Sequence, residues 1–198
     1  MTLHNLPKMF YSYSEGWPDL MRMHPSVTRM LAFYVLPMSL IPAAMFVYSI
    51  FVTPGAVFPE VVPAFSGGEA GMLFVAFVVA QLLMVGLMAS IIQQMGNVAG
   101  AQPDYHDAFM LAAVAPTPLW LGSLVLFIPS MWAAVIAMAV AWVGSAALIY
   151  HGVEPLFNLQ GHDRARLMGS FVLAAGVVAW CALMVVLALM MSMIIGLR

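Results

Sequence analysis

The chain has 198 residues, of which 64% are hydrophobic and 7% charged, with a net charge of -2 and a mean hydropathy of +1.02. Soluble domains run at about 45–50% apolar and about 25% charged, so this composition cannot cover a core with a water-facing surface. The few cations are scattered, which argues against a nucleic-acid partner. What remains is an all-α polytopic membrane protein, with five transmembrane helices in one bundle surrounded by the lipid bilayer.

Residues 1–29 are expected to lie at headgroup level rather than to span. Phe10, Tyr11, Tyr13 and Trp17 alternate there with Lys8, Glu15, Asp19 and Arg22. The run Gly16 to Asp19 predicts the start of a short helix, with Pro18 where its missing N–H is harmless. Ser26 is placed to cap the first span. No cleavable signal peptide is expected, because the first apolar run exceeds a signal core of about 7–15 residues.

The membrane domain is expected over 30–198, with spans at 30–52, 71–95, 108–128, 131–150 and 167–195. Span one carries Pro37 and Pro42. The loop 53–70 holds Pro54, Pro59, Pro63, Glu60 and Glu69 but no lysine or arginine. In span two Gln81 is the one strongly polar interior residue, and Gly86 with Ser90 forms a small pair suited to close helix contact. Span three contains Pro116-Thr117-Pro118. Each proline removes a backbone donor and costs about 3 kcal/mol in an ordinary helix interior. A membrane helix tolerates it where hydroxyls, neighbouring helices or water re-satisfy the freed carbonyls.

Pro129-Ser130 reads as a tight turn into span four. There Ala133, Ala137, Ala141 and Ser145 recur every four residues as a ridge that admits another backbone, so spans three and four should form a packed hairpin. Gly152 is expected to cap span four in a left-handed conformation. Ser170 and Ala174 make another small pair in span five. Cys181, the lone cysteine, reads as a small buried apolar residue, and the 19 methionines as flexible filler.

Five spans place the termini on opposite sides. With the N-terminus cytoplasmic and the C-terminus extracytoplasmic, Lys8, Arg22, Arg29, Arg164 and Arg166 lie inside and Arg198 outside, which obeys the positive-inside rule. The same topology gathers a cytoplasmic polar cluster of Asp104, His106, Asp107, His151, Glu154 and His162. These residues lack a metal-ligand spacing signature, and no metal or cofactor is expected. Asp104 reads as an N-cap, while Asp107 and His151 suit the charged ends of helices. No charged residue falls inside the expected spans, and Thr117, Ser123 and Ser145 have no base beside them. A nucleophile needs such a partner, so no enzyme activity is expected.

The residues Ala115-Pro116-Thr117-Pro118-Leu119-Trp120-Leu121-Gly122-Ser123-Leu124-Val125, then Ile128-Pro129 and Tyr150-His151-Gly152-Val153, resemble the core of the Yip-domain family. They are most similar to its short bacterial branch of inner-membrane proteins, a domain of unknown function. Ser14-Glu15-Gly16-Trp17 resembles that branch's segment before the first span. The resemblance implies five spans with a cytoplasmic N-terminus in the bacterial inner membrane. In eukaryotic relatives the family binds small GTPases of the Rab type. This chain has neither their long N-terminal region nor their Gly-Pro and Gly-Tyr span motifs, which counts against GTPase binding.

The function expected is therefore non-enzymatic: organising membrane or recruiting partners through the cytoplasmic face, with homo-oligomers or other membrane proteins as candidate partners. The alternative is a channel, transporter or binding protein for a small solute, ion or lipid. It would use the breaks at Pro37, Pro42, Pro116, Thr117 and Pro118, as midplane sites in transporters use broken helices. Coupled transport usually keeps an ionisable residue in the membrane, and none is visible within these spans.

Overall fold

In the computed structural model, residues 16–55, 65–98, 100–159 and 162–196 are described. The expectations for Lys8, Phe10, Tyr11, Tyr13, Ser14, Glu15, Pro59, Glu60, Pro63 and Arg198 fall outside them, as does the side chain of His162. The helices run in the order α1 (Trp17–Met23), α2 (Val27–Met30), α3 (Leu36–Phe51), α4 (Gly67–Val98), α5 (Tyr105–Val114), α6 (Thr117–Gly122), α7 (Met131–Phe157) and α8 (His162–Gly196). A π-helical turn, Leu31–Val35, joins α2 to α3, and a 3-10 turn, Ser123–Phe127, follows α6. No strand occurs among the described residues. Five segments are long and apolar enough to cross a membrane: Val27–Phe51, Gly67–Val98, Tyr105–Phe127, Met131–Phe157 and Asp163–Ile194.

Several helices continue past the ends that hydropathy marks, because a helix persists after its side chains turn polar. Span two starts at Gly67 rather than near Gly71, where Ser66 and Glu69 form a capping box. The Glu69 carboxylate accepts from the Ser66 N–H at 2.7 Å, and the Ser66 hydroxyl accepts from the Glu69 N–H at 3.3 Å. Span four runs to Phe157 instead of ending at Tyr150. Gly152 lies inside α7, and the left-handed cap is Asn158, with φ 48°. The serine caps form where the sequence places them. Ser26 accepts from the Arg29 N–H at 3.4 Å, and Ser130 accepts from the Ala133 N–H at 3.4 Å.

The core is organised around the first half of span three. Every residue from Ala108 to Val114 is buried, so α5 is enclosed on all sides beyond its first turn. Around it pack Trp17, Val35, Ile92, Leu148, Val153 and Met168, drawn from α1, the π turn, α4, α7 and α8. The other half of the bundle is held by smaller clusters that join α3, α4 and α8, with Ala43, Phe77 and Leu187 in one and Leu73 and Ile194 in another.

Close approach between elements depends on Gly152, which the sequence marks only as a cap, and on Gly169, which it does not single out. A β-carbon on Gly152 would lie 2.7 Å from the Trp17 ring, and one on Gly169 would lie 2.7 Å from the Tyr150 ring. Trp17 is therefore not a headgroup-level ring. It is 0% exposed and seats α1 against α7. The expected pairs behave differently: Gly86 has open space beside it, and Ser170 and Ala174 are exposed. Ser170 instead shares a hydroxyl contact with Tyr150 at 2.9 Å. Cys181 is exposed rather than buried.

The α7 ridge faces inward as a hairpin contact. A β-carbon on Gly122 would lie 3.1 Å from the Ala141 β-carbon and 3.8 Å from the Ala137 carbonyl. Ala133 and Ala137 are half-buried, and Ala141 and Ser145 are buried. Ala141→Leu should overpack this contact and destabilise the bundle by about 1–3 kcal/mol. Val140→Leu, on a residue 67% exposed, should leave stability unchanged. Thermal unfolding of both variants in detergent checks the pair.

Candidate functional site

The site grows from the backbone groups that prolines leave unpaired. Pro118 has no N–H to give the carbonyl one turn back, that of Val114. Thr117 supplies the missing donor: its hydroxyl bonds the Val114 carbonyl at 2.6 Å. Its only hydrogen is then committed, so the contact with Tyr34 at 2.7 Å runs the other way, with the Tyr34 hydroxyl donating to the Thr117 oxygen.

Tyr34 comes from the irregular part of span one. Pro37 would clash with the carbonyl four residues earlier, and the turn just before it widens to a π-helix, with the Leu36 N–H reaching the Leu31 carbonyl. The two irregular points, distant in sequence, thus meet through one hydrogen-bonded pair. Pro42 lies further along, inside α3. One turn before it, the Ser39 carbonyl accepts from the Gln81 side-chain amide at 3.1 Å, and the same amide reaches the Phe77 carbonyl at 3.3 Å. Gln81 is 4% exposed, so its polarity is spent on joining spans one and two.

Beside these breaks lies a cavity of about 270 Å³ to which all five spans contribute. Pro42 and Gln81 line it, as do Pro116 and Trp120 of span three, Trp142 and Ser145 of span four, and Gly176 and Trp180 of span five. The lining is apolar, not the polar one that a solute path through the breaks requires. Thr117 is turned onto backbone and Tyr34, and no ionisable side chain is among the lining residues. Ser123 donates to the Trp120 carbonyl at 2.6 Å. Ser145 differs, being 4% exposed with a hydroxyl that has no hydrogen-bond partner among the described residues. Trp142 and Trp180 meet edge to face, with ring centroids 5.5 Å apart.

The polar cluster lies at the end of the bundle that carries α1. His106 donates through Nε2 to the Pro25 carbonyl at 2.8 Å, pinning the α1–α2 connection to α5, and its Nδ1 is 3.5 Å from Asp107. The His24 ring sits 6.1 Å from that of His106. His151 bonds through Nδ1 to the Ala147 carbonyl of its own helix at 2.8 Å. Asp104 is the N-cap residue of α5 but makes no side-chain cap bond, and Glu154 is half-buried on α7. Among the described residues no three of His, Cys, Asp and Glu converge as metal ligands would. Sequence reasoning missed Tyr34 and Trp17 as partners of the site. Trp17 reads as an interfacial ring until Gly152 is brought against it, and Tyr34 carries no local signal at all before the break meets it.

Five apolar helices around an apolar cavity define an integral membrane protein of the helical-bundle class. The Yip1 domain family matches residues 8–183, nearly the whole chain, and the chain belongs to that family. No curated protein and no solved structure matches it.

Thr117→Val should leave the buried Val114 carbonyl without a donor and lower stability by about 1–3 kcal/mol, while Thr117→Ser should restore most of it. Tyr34→Phe should cost less, about 0.6 kcal/mol, as typical for a bond between membrane helices. It should cost nothing further in the Thr117→Val background, which a double-mutant cycle of unfolding free energies measures.

Proposed function

We propose that the chain is a non-enzymatic organiser of its membrane, which recruits partners through the end of the bundle that carries α1. The observation that supports this is the seating of Trp17 over Gly152. It fixes α1 to the bundle, so that Arg22, Met23 and His24 are exposed on a surface of set shape rather than on a loose tether. Arg29, Arg164 and Arg166 are exposed at the same end. By the positive-inside rule this end is cytoplasmic, and in a bacterium the membrane is the inner one. Against an enzyme, the hydroxyls of Thr117 and Ser123 are bonded to backbone carbonyls, with no base to activate them.

A second reading has its own support. The cavity is apolar, lies among the spans and is free of ionisable lining, which suits the binding of a small uncharged apolar molecule better than the passage of an ion.

With Cys181→Ala as background, a cysteine in place of the exposed Thr28 should react with a membrane-impermeant maleimide only from the cytoplasmic side; reaction from outside would invert the orientation. In proximity labelling from the same end, Arg22→Glu with Arg29→Glu should deplete the proteins captured with the wild type by several-fold at equal membrane abundance. An unchanged set would remove recruitment through this surface.

A further inference from the structure

We propose that the connection between α1 and α2 is a pH-sensitive clasp: a charged His106 holds both the Pro25 carbonyl and the Asp107 carboxylate, and a neutral His106 releases one of them. The inference rests on the reading of this end of the bundle as the recruiting surface, and it names a regulation of that surface.

The connection is short and conformationally costly. His24 ends α1 in the left-handed region, at φ 37° and ψ 54°. A residue other than glycine keeps such a conformation only where its surroundings hold it. Pro25 follows and has no N–H with which to steady the turn. Trp17 and Leu20 are buried toward the start of α1, whereas Arg22, Met23 and His24 are exposed. Among the described residues, the hydrogen bond that reaches this turn from span three is the one from His106 to the Pro25 carbonyl, at 2.8 Å.

His106 meets an acceptor at each ring nitrogen. Nε2 is bonded to the Pro25 carbonyl, and Nδ1 lies 3.5 Å from the Asp107 carboxylate. A neutral imidazole has one N–H, so it donates to one acceptor and turns a lone pair toward the other. The imidazolium donates to both, and charge-assisted hydrogen bonds are roughly twice as strong as neutral ones. The His106 and Asp107 side chains are 28% and 25% exposed, which leaves the pair open to solvent protons. Protonation therefore favours the closed clasp. The clasp is complete in acid and is lost as the pH rises through about 5–8, the range in which histidine changes charge.

The charges nearby decide the sign. His24 opposes the closed form when it is charged too, but its ring centroid is 6.1 Å away and its side chain is exposed. Coulomb energy falls with distance, so the carboxylate at 3.5 Å outweighs it. Asp19, the one carboxylate on α1, acts in the same direction as Asp107. Arg22 on α1, Arg29 on α2 and Glu154 on α7 form no hydrogen bond or ion pair with the ring among the described residues.

The test is hydrogen–deuterium exchange of the full chain in phosphatidylcholine nanodiscs, at about pH 5.5 and about pH 8, with labelling times scaled to equal intrinsic rates. In the wild type, peptides covering residues 20–30 should be about three-fold better protected at the lower pH, relative to peptides from α4. His106→Gln keeps a donor for the Pro25 carbonyl but does not titrate, so its protection should be the same at both pH values. His24→Gln removes the opposing charge and should keep or enlarge the response. Equal protection of the wild type at both pH values, or better protection at the higher one, would overturn the clasp. So would a response that persists in His106→Gln or vanishes in His24→Gln. The wild-type and His24→Gln measurements decide the matter even where His106→Gln does not fold. No partner is present, so failure here leaves recruitment standing, and loss of capture in the arginine variants leaves the clasp standing.

Discussion

The hydrogen bond from Thr117 to the Val114 carbonyl is the constraint on which the rest of the bundle depends. In hydrocarbon a freed carbonyl has no water to turn to, so a proline inside a span survives only with a donor built nearby. Thr117 lies between the two prolines and supplies one locally, and Tyr34 then completes the hydroxyl from another span. A requirement of backbone chemistry is thereby converted into a contact between spans one and three. Gln81 also joins spans one and two, through the Ser39 carbonyl one turn before Pro42, although the carbonyl that Pro42 itself frees is that of Met38. The bundle is pinned at the places where its helices are weakest.

Those pins also explain why the cavity is apolar. Polar side chains near the breaks are occupied with backbone, and what they leave behind is a space walled by aliphatic and aromatic groups. Broken helices in a membrane are often associated with ion or solute sites, where the freed carbonyls face the ligand. Here the Val114 carbonyl, which Pro118 frees, has the Thr117 hydroxyl as its partner. The same sequence feature therefore gives an architectural result instead of a permeation path.

How much of this was legible in the sequence follows from which forces are local. Five apolar runs, the serine caps and the tight turn at Pro129-Ser130 are local signals, and the helices form there. The inward ridge at Ala141 was visible because small residues at four-residue spacing share one face. Helix ends were less legible, since hydropathy marks where side chains become polar and not where backbone bonding stops. Asn158 rather than Gly152 therefore ends α7. The pairs at Gly86–Ser90 and Ser170–Ala174 failed because spacing identifies a face without saying what lies opposite it. Trp17 illustrates the deeper limit. Aromatic rings beside cations suit an interface, and only the absence of a β-carbon at Gly152, far along the chain, makes a buried seat available. The polar residues near Asp104 take directions that depend on loop geometry, which no spacing encodes.

The seat of Trp17 has a consequence for biogenesis. Its walls, Leu111 and Gly152, are synthesised long after Trp17 itself. At about 5–20 residues per second, α1 waits on the order of ten seconds between leaving the ribosome and finding its place. During that interval the Trp17 ring lacks its seat, and α1 can close against the bundle only when span four has been delivered. Docking of the first helix therefore depends on delivery of the fourth span, so α1 settles out of chain order.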